Sequence, residues 1–195
     1  MGYLAGVAWE KPEIAARVSL TYNSGIKHDL ALTESVGGGP ASSVSRVETP
    51  QSVNLDFQTG VAANTLVFGS VRWADWTSFS LTSPNYPGGS PVGTLVSYDN
   101  DVITYSLGLG YKFSESFSGA VELGYEQSLG DRVSDLGPTD GYFSVGVGGT
   151  YTKGNTKFSA GLRYIDIGDA VTDNGGVFND NDGWALGFQV TYLLD

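Results

Sequence analysis

The sequence predicts an all-β fold, an antiparallel up-and-down transmembrane β-barrel of about nine strands. Three observations predict this fold class. Apolar side chains alternate with small or polar ones along most of the 195 residues, short and long connections alternate, and 28 Gly, 11 Tyr, 9 Phe and 4 Trp accompany only 16% charged residues. No stretch approaches the roughly 20 consecutive apolar residues that a membrane-spanning helix requires, so helical spans are excluded.

Period-two alternation is clearest between residues 101 and 113. Because successive side chains of a strand point to opposite faces, this segment has one large apolar face and one small or polar face. The parity breaks at Trp73, Asp75 and Trp76, which predicts a β-bulge within residues 65–81. The same alternation recurs over residues 3–9, 16–22, 53–61, 121–125, 143–151, 158–164 and 184–194.

The connections between these segments alternate between tight and long. Tight links fall near residues 11–12, 63–64, 114–116 and 153–155, and long ones span residues 35–49, 83–97, 129–139 and 170–182. Outer-membrane barrels have this asymmetry, with short periplasmic turns and longer extracellular loops. We expect the aromatic ends of the apolar faces to form a periplasmic girdle, comprising Trp9, Tyr22, Tyr111, Phe113, Tyr151, Phe158 and Tyr192.

A soluble up-and-down barrel or sandwich is the alternative, with its apolar faces packed into a core. The second face argues against it, because Gly, Ser, Thr and Ala dominate that face and charges are few, which suits a lumen better than a solvated surface. We treat residues 1–195 as one domain.

Composition also restricts the function. The chain has no Cys, so it contains neither disulfides nor thiolate-based sites. A net charge of −11, with only ten scattered Lys and Arg, argues against nucleic-acid binding. Neither a phosphate loop nor metal-ligand spacing is present, so we predict no enzymatic activity, catalytic residue, metal site or cofactor.

Several stretches resemble one family, the long-chain fatty acid and toluene transporters of the Gram-negative outer membrane. The run GYLAGVAWEKPEIAARVSLTYNSGIKHDL from Gly2 resembles a strand–turn–strand unit of that family, including SLTYNS at residues 19–24. ETPQSVNLDFQTGVAANTLVFGSVRWADWTSF from Glu48 is similar to the next hairpin, with Pro50 opening the downward strand. AGLRYIDIGDA from Ala160 and GWALGFQVTYLLD from Gly183 are similar to its C-terminal strands.

The resemblance implies a 14-stranded barrel with an N-terminal plug, of which this chain would be the C-terminal part. The family's plug and early strands have no counterpart in this sequence. Its terminal Phe has none either, since the sequence ends with Leu194 and Asp195. An odd strand count gives the same expectation, because it leaves the first and last strands parallel, whereas bacterial barrels normally have even counts.

The implied function is passive uptake of long-chain fatty acids or other hydrophobic small molecules across the outer membrane. Membrane lipid and lipopolysaccharide would surround the barrel, which we expect to be monomeric at full length. The alternative is a structural or adhesive barrel with a closed lumen and interacting extracellular loops.

Basic side chains on the small-residue face are the candidate ligand contacts. A guanidinium can bind a fatty carboxylate through two charge-assisted hydrogen bonds. The alternative is that these cations pair with Asp56, Glu122 or Glu126 and neutralise one another. His28 has no partner for catalysis and is predicted at the surface near the outer rim. The proposed lumen cations are Arg17, Arg72, Lys112 and Arg163, with Lys27 also facing the lumen.

Overall fold

The computed structural model describes residues 1–35, 40–86 and 93–193, which are almost entirely extended. Strands are numbered β1 to β16 along the chain, and two 3-10 helices span Pro12–Ile14 and Trp76–Ser78. No helix in these described ranges is long and apolar enough to cross a membrane. The strands of the main sheet are β1 (Leu4–Lys11), β2 (Ala16–Asn23), β5 (Ser52–Ala62), β6 (Thr65–Ala74), β9 (Val102–Lys112), β10 (Phe117–Glu126), β12 (Tyr142–Lys153), β13 (Thr156–Ile167) and β16 (Asn181–Tyr192).

The remaining strands form small sheets beyond one end of the main sheet. This end, where the long connections lie, is the loop end, and the opposite end is the turn end. The small sheets are β3 (Ile26–Ser35) with β4 (Pro40–Thr49), β7 (Ser80–Thr82) with β8 (Thr94–Ser97), and β11 (Arg132–Val133) with β14 (Ala170–Thr172) and β15 (Val177–Phe178).

Every strand of the main sheet pairs antiparallel with its neighbour along the chain. The predicted up-and-down order of nine strands is therefore confirmed. Strands β1 and β16 form the two edges and both run toward the turn end, so they are parallel to each other. In the described part of the chain, neither edge pairs with a further strand on its open side.

The large apolar side chains of the main sheet are exposed. Leu107, Leu109, Phe188 and Val190 have 54%, 46%, 72% and 52% of their surface exposed. A soluble barrel or sandwich would pack these side chains together, so this arrangement contradicts the soluble alternative. Among the described residues, the buried hydrophobic side chains are only Ala16, Val47, Ala74 and Ala170.

Aromatic side chains lie at both ends of the apolar face. The predicted girdle at the turn end is present around Trp9, Tyr111 and Tyr151, but placing Tyr22 there was wrong. Tyr22 pairs with Ala5 near the loop end, where its ring lies 5.6 Å from that of Tyr3. The loop-end belt also contains Trp73, Tyr105, Tyr125, Phe143, Tyr164 and Trp184.

Two other expectations need correction. The bulge predicted within residues 65–81 does not interrupt β6, which runs regularly to Ala74 before the 3-10 helix Trp76–Ser78. The β7–β8 pair instead has a register shift between Leu81 and Thr82, at the end of that range. The only register shift of the β5–β6 pair lies between Gly60 and Ala62. Residues 40–49 of the predicted loop form strand β4, so this connection is a hairpin. Leu194 and Asp195, part of the predicted last segment, lie outside the described residues.

Glycine at position 69 allows β6 and β9 to pair closely. A Cβ there would lie 2.4 Å from the Ser106 carbonyl oxygen and 2.8 Å from the Phe57 ring. Because the first contact is backbone, a rotamer change cannot relieve it.

We predict that Gly69→Ala destabilises the protein by about 2 kcal/mol, since overpacking forces backbone shifts. Urea unfolding in detergent measures the change. Gly187→Ala is the matched control, because no atom lies within 4 Å of its added Cβ. Equal stability of the two variants would contradict the close approach.

Candidate functional site

The face opposite the apolar one is lined by small side chains in its central part. Residues that face one another across neighbouring strands form rows on this inner face. Cavities of about 460 and 420 Å³ lie against it and share Phe68, Ala120 and Gly148. One row consists of Leu66, Gly110, Ala120, Gly148, Gly161 and Gly187, and the next of Phe68, Gly108, Glu122, Gly146, Arg163 and Ala185.

The low side-chain volume of these rows leaves space along the inner wall. The ring of Phe68 lies over Gly108, where a Cβ would come within 2.3 Å of Cζ of that ring. Phe68 therefore forms an apolar ridge between the two cavities. An apolar solute could contact both the ring and the bare backbone beside it.

Arg163 is neutralised on the inner face. Its guanidinium forms an ion pair with Glu122 and donates a hydrogen bond to Ser144 Oγ at 3.3 Å. The two charged side chains are 36% and 29% exposed, so they are only partly screened by water. The absence of side chains at Gly124 and Gly146 makes room for the guanidinium, which lies close to both positions.

Two further candidate cations also have acidic partners, although not the predicted ones. Arg17 Nε lies 3.4 Å from Glu10 Oε1, and Lys112 Nζ lies 2.8 Å from Glu115 Oε2 at a tight turn. Both pairs are exposed and add little stability. Neither pair involves Asp56 or Glu126.

Arg72 is the candidate cation without an ion pair in the described ranges. Its Nη1 donates to Asn54 Oδ1 at 3.4 Å, and Arg72 faces Thr104 of the neighbouring strand β9. Ligand binding by Arg17, Arg72, Lys112 and Arg163 stays a prediction.

Lys27 and His28 do not lie on the inner face of the main sheet. Both belong to the β3–β4 hairpin beyond the loop end, where Lys27 Nζ lies 3.4 Å from Glu48 Oε2. The placement of Lys27 in the lumen was therefore wrong. His28 is exposed, as predicted.

The loop end contains a cavity that the sequence pattern did not indicate. This mouth cavity has a volume of about 250 Å³. The Trp76 and Tyr98 rings, 5.0 Å apart, contribute aromatic surface, and Phe79 packs against both. Its lining includes Trp76, Tyr98, Asp99, Val102, Glu126, Leu129, Asp131, Arg132, Val133 and Asp140.

Asp140 fixes the loop that forms one wall of the mouth cavity. Its carboxylate accepts hydrogen bonds from Ser128 Oγ at 2.7 Å, Leu129 N at 2.8 Å and Gly130 N at 2.7 Å. Burial alone would raise the pKa of Asp140, but these donors favour the charged form and hold its pKa below the ordinary value.

Gly141 is required beside Asp140. Its φ is +73°, and an added Cβ would lie 2.6 Å from the Ser128 backbone nitrogen. The Thr-Asp-Gly sequence at residues 139–141 is the local signal of this turn, because glycine tolerates a left-handed conformation. It could have marked the loop, but it could not indicate which residues the loop meets.

We predict that Asp140→Asn loosens the loop at residues 127–141, because an amide replaces the charged acceptor of two backbone N–H groups. At neutral pH, protease cleavage of this loop should accelerate about tenfold. Asp135→Asn is the control, since Asp135 is an exposed residue of the same loop and an amide oxygen can still accept its hydrogen bond from Asn174 Nδ2. Similar cleavage of both variants would contradict this role for Asp140.

The same contacts predict that protease cleavage of this loop depends on pH. Because the pKa of Asp140 is lowered on folding, its contribution is complete above the ordinary Asp pKa of about 3.9 and is lost as the pH falls through the lowered value. Wild-type cleavage by an acid protease should therefore rise as the pH falls through the lowered pKa of Asp140. Cleavage of Asp140→Asn should show no such rise.

Comparison with solved structures shows which known proteins share this fold. The structure of a Pseudomonas aeruginosa FadL homologue matches with a TM-score of 0.71 at 18% identity, covering 97% of this chain and 49% of that one. The Pseudomonas putida toluene transporter TodX matches with a TM-score of 0.52 at 14% identity, covering 84% and 43%. A TodX mutant described as a monoaromatic hydrocarbon channel matches with a TM-score of 0.57 at 16% identity, covering 97% and 48%.

No protein-family model and no curated protein matches this chain. The chain spans about half the length of the solved structures that it matches. The nine-stranded sheet thus has the fold of a FadL-like β-barrel wall, and it corresponds to about half of the chain of such a protein.

Proposed function

We propose that this chain forms part of the wall of an outer-membrane channel through which hydrophobic small molecules enter passively. One observation carries the proposal: the sheet exposes its large apolar side chains and keeps small and polar ones on the inner face. Water disfavours such a surface, whereas acyl chains match it. The structural neighbours described as a toluene transporter and a monoaromatic hydrocarbon channel support the same class of function.

The two aromatic belts support a position within a bilayer. Tyr105 and Tyr111 of β9 are six residues apart, which corresponds to about 20 Å along a strand. Tyr and Trp favour the two interfaces of a membrane, where the ring is partly buried and the polar atom stays hydrated. We propose that lipid surrounds the belts and that lipopolysaccharide adjoins the loop end.

Long-chain fatty acids are one proposed substrate class. A fatty carboxylate would need a free cation on the inner face, and Arg72 is the candidate least engaged by protein acceptors. The acyl chain would then lie along the small-residue rows beside Phe68. No covalent chemistry is required, and the proposed mechanism is diffusion along an apolar wall.

We further propose that this chain is the C-terminal part of a longer, monomeric barrel. The open edges of β1 and β16 run in the same direction, so direct closure would create a parallel pair. An odd number of additional strands restores antiparallel pairing throughout. Closure also removes two rows of unpaired backbone groups, each group costing several kcal/mol in lipid.

Closure predicts a difference between the 195-residue chain and the full-length polypeptide. In detergent, amide hydrogen exchange in β1 and β16 should be slow only in the full-length protein, because both edges are then hydrogen-bonded. Exchange in the central strand β9 serves as the internal reference. Equal protection of β1, β9 and β16 in the 195-residue chain would contradict the proposal.

Transport predicts that filling the inner face reduces uptake. In cells producing the full-length protein, Gly110→Trp should lower the initial rate of radiolabelled toluene or oleate uptake several-fold, because the indole occupies the inner cavity. Leu109→Trp is the matched control, since residue 109 points to the opposite face.

The outcomes separate the two candidate functions. The uptake rate of a hydrophilic sugar should be the same with and without the protein. Uptake of the hydrophobic solutes at the level of cells lacking the protein would contradict transport and favour the structural or adhesive alternative.

A further inference from the structure

The loop end carries nearly all of the negative charge of the protein. Its connections contain thirteen Asp and Glu but only three Lys and Arg, and the net charge of the whole chain is −11. These connections are residues 24–51, 75–101, 127–141 and 168–182. Charges of one sign raise the local concentration of solutes of the opposite sign. Cations are therefore attracted to this end before they contact any particular residue.

The mouth cavity places part of this charge around a volume of about 250 Å³. Four carboxylates and one guanidinium line it, so the charged groups of its lining sum to −3. They are Asp99, Glu126, Asp131, Asp140 and Arg132. The guanidinium of Arg132 is used within the protein, because its Nη1 donates to the carbonyl oxygens of Thr172 at 2.9 Å and Asp173 at 3.4 Å.

Two of the carboxylates keep an oxygen for a ligand. Asp131 Oδ2 accepts a hydrogen bond from Asn100 Nδ2 at 2.8 Å, and Glu126 Oε2 accepts one from Thr104 Oγ1 at 3.0 Å. Each of these contacts uses one oxygen of the two. Asp140 differs, because both of its oxygens hold its own loop, so it contributes charge rather than a ligand contact.

Two aromatic rings form another part of the lining. The ring centroids of Trp76 and Tyr98 are 5.0 Å apart, with an angle of 57° between the ring planes. Phe79 packs against both rings at 5.8 and 6.0 Å and so fixes the pair. The face of an aromatic ring attracts cations, most strongly in Trp. The rings and the carboxylates of this cavity therefore favour the same ligand charge.

We propose that the mouth cavity binds small organic cations that contain a quaternary ammonium group. The methyl groups of such a cation contact the rings of Trp76 and Tyr98, and its charge is stabilised by the ring faces and the carboxylates. An inorganic cation lacks the apolar contact, and an uncharged molecule of the same shape lacks the charge. This site goes beyond the passage of hydrophobic solutes and does not depend on it.

The size of the cavity restricts the ligand further. A volume of about 250 Å³ accommodates a trimethylammonium group with a short substituent, but not a long alkyl chain. The side chains of Val102, Leu129 and Val133 add apolar lining beside the rings. The ligand class is therefore a compact cation with an apolar surface.

Choline and its uncharged isostere 3,3-dimethylbutan-1-ol test the role of ligand charge, because they have nearly the same shape. Equilibrium dialysis of labelled choline against the protein in a nonionic detergent at pH 7, at fixed ionic strength and corrected for empty micelles, measures binding. We expect the alcohol to displace labelled choline only at concentrations at least about tenfold higher than unlabelled choline requires. Equal displacement by the two compounds would overturn the proposal.

The role of the rings is tested at Trp76. Trp76→Leu should weaken choline binding about tenfold, because the ring face is lost. Trp76→Phe keeps a ring and should retain most of the affinity, which separates loss of the ring from loss of the fold. Wild-type affinity in Trp76→Leu would mean that a diffuse negative surface attracts choline, and the cavity assignment would be wrong.

The role of the carboxylates is tested with the double variant Glu126→Gln/Asp131→Asn. Both amides retain an oxygen for Thr104 and Asn100, so the shape of the cavity is preserved. Choline affinity should fall about tenfold. Asp173→Asn, an exposed loop-end substitution outside the cavity lining, is the control and should leave the affinity unchanged. An equal loss in the control would contradict a specific site.

Binding of cations and transport can fail independently. Choline binding that is insensitive to ligand charge, to Trp76 and to the two carboxylates overturns the cation site even where toluene uptake is normal. Absence of toluene uptake with the expected choline binding contradicts the proposed function and leaves the cation site in place.

Discussion

The structure depends on a difference between the surroundings of the two faces of each strand. Large apolar side chains project from one face of the main sheet, and glycine, serine, threonine and a few charged residues occupy the other. A soluble sheet would bury the apolar face. Here that face is exposed, as Leu107 and Phe188 illustrate, so the sheet requires a nonaqueous environment on that side. The belts of Trp and Tyr and the empty inner rows follow from the same arrangement.

The inner face combines openness with charge neutrality. Rows of Gly and Ala leave backbone exposed along several strands, and Phe68 supplies one apolar ridge. Arg163 and Glu122 share this face, where an unpaired charge would be costly, and they neutralise each other. Basic residues that looked available for an anionic ligand therefore mostly serve the wall itself. Arg72 remains the exception among the four candidate cations.

The loop end has a different physical basis. Its residues are ordered mainly by polar contacts. Asp140 holds the 127–141 connection together, and Arg132 and Asn100 join separate connections. This layer bears nearly all of the net negative charge and contains the mouth cavity. A negatively charged entrance lowers the local concentration of anions.

Local alternation in the sequence determined the number of main strands, their up-and-down order and the assignment of residues to faces, because strand geometry has a strict period of two. It also indicated which connections are tight. Only the tertiary structure decided that Arg163 pairs with Glu122, that Tyr22 lies near the loop end and that Trp76, Tyr98 and Asp140 surround one cavity. These pairings join residues from 19 positions apart, for Tyr3 and Tyr22, to 64 positions apart, for Trp76 and Asp140. Strand register and loop conformation set which residues meet, and neither leaves a periodic trace in the sequence.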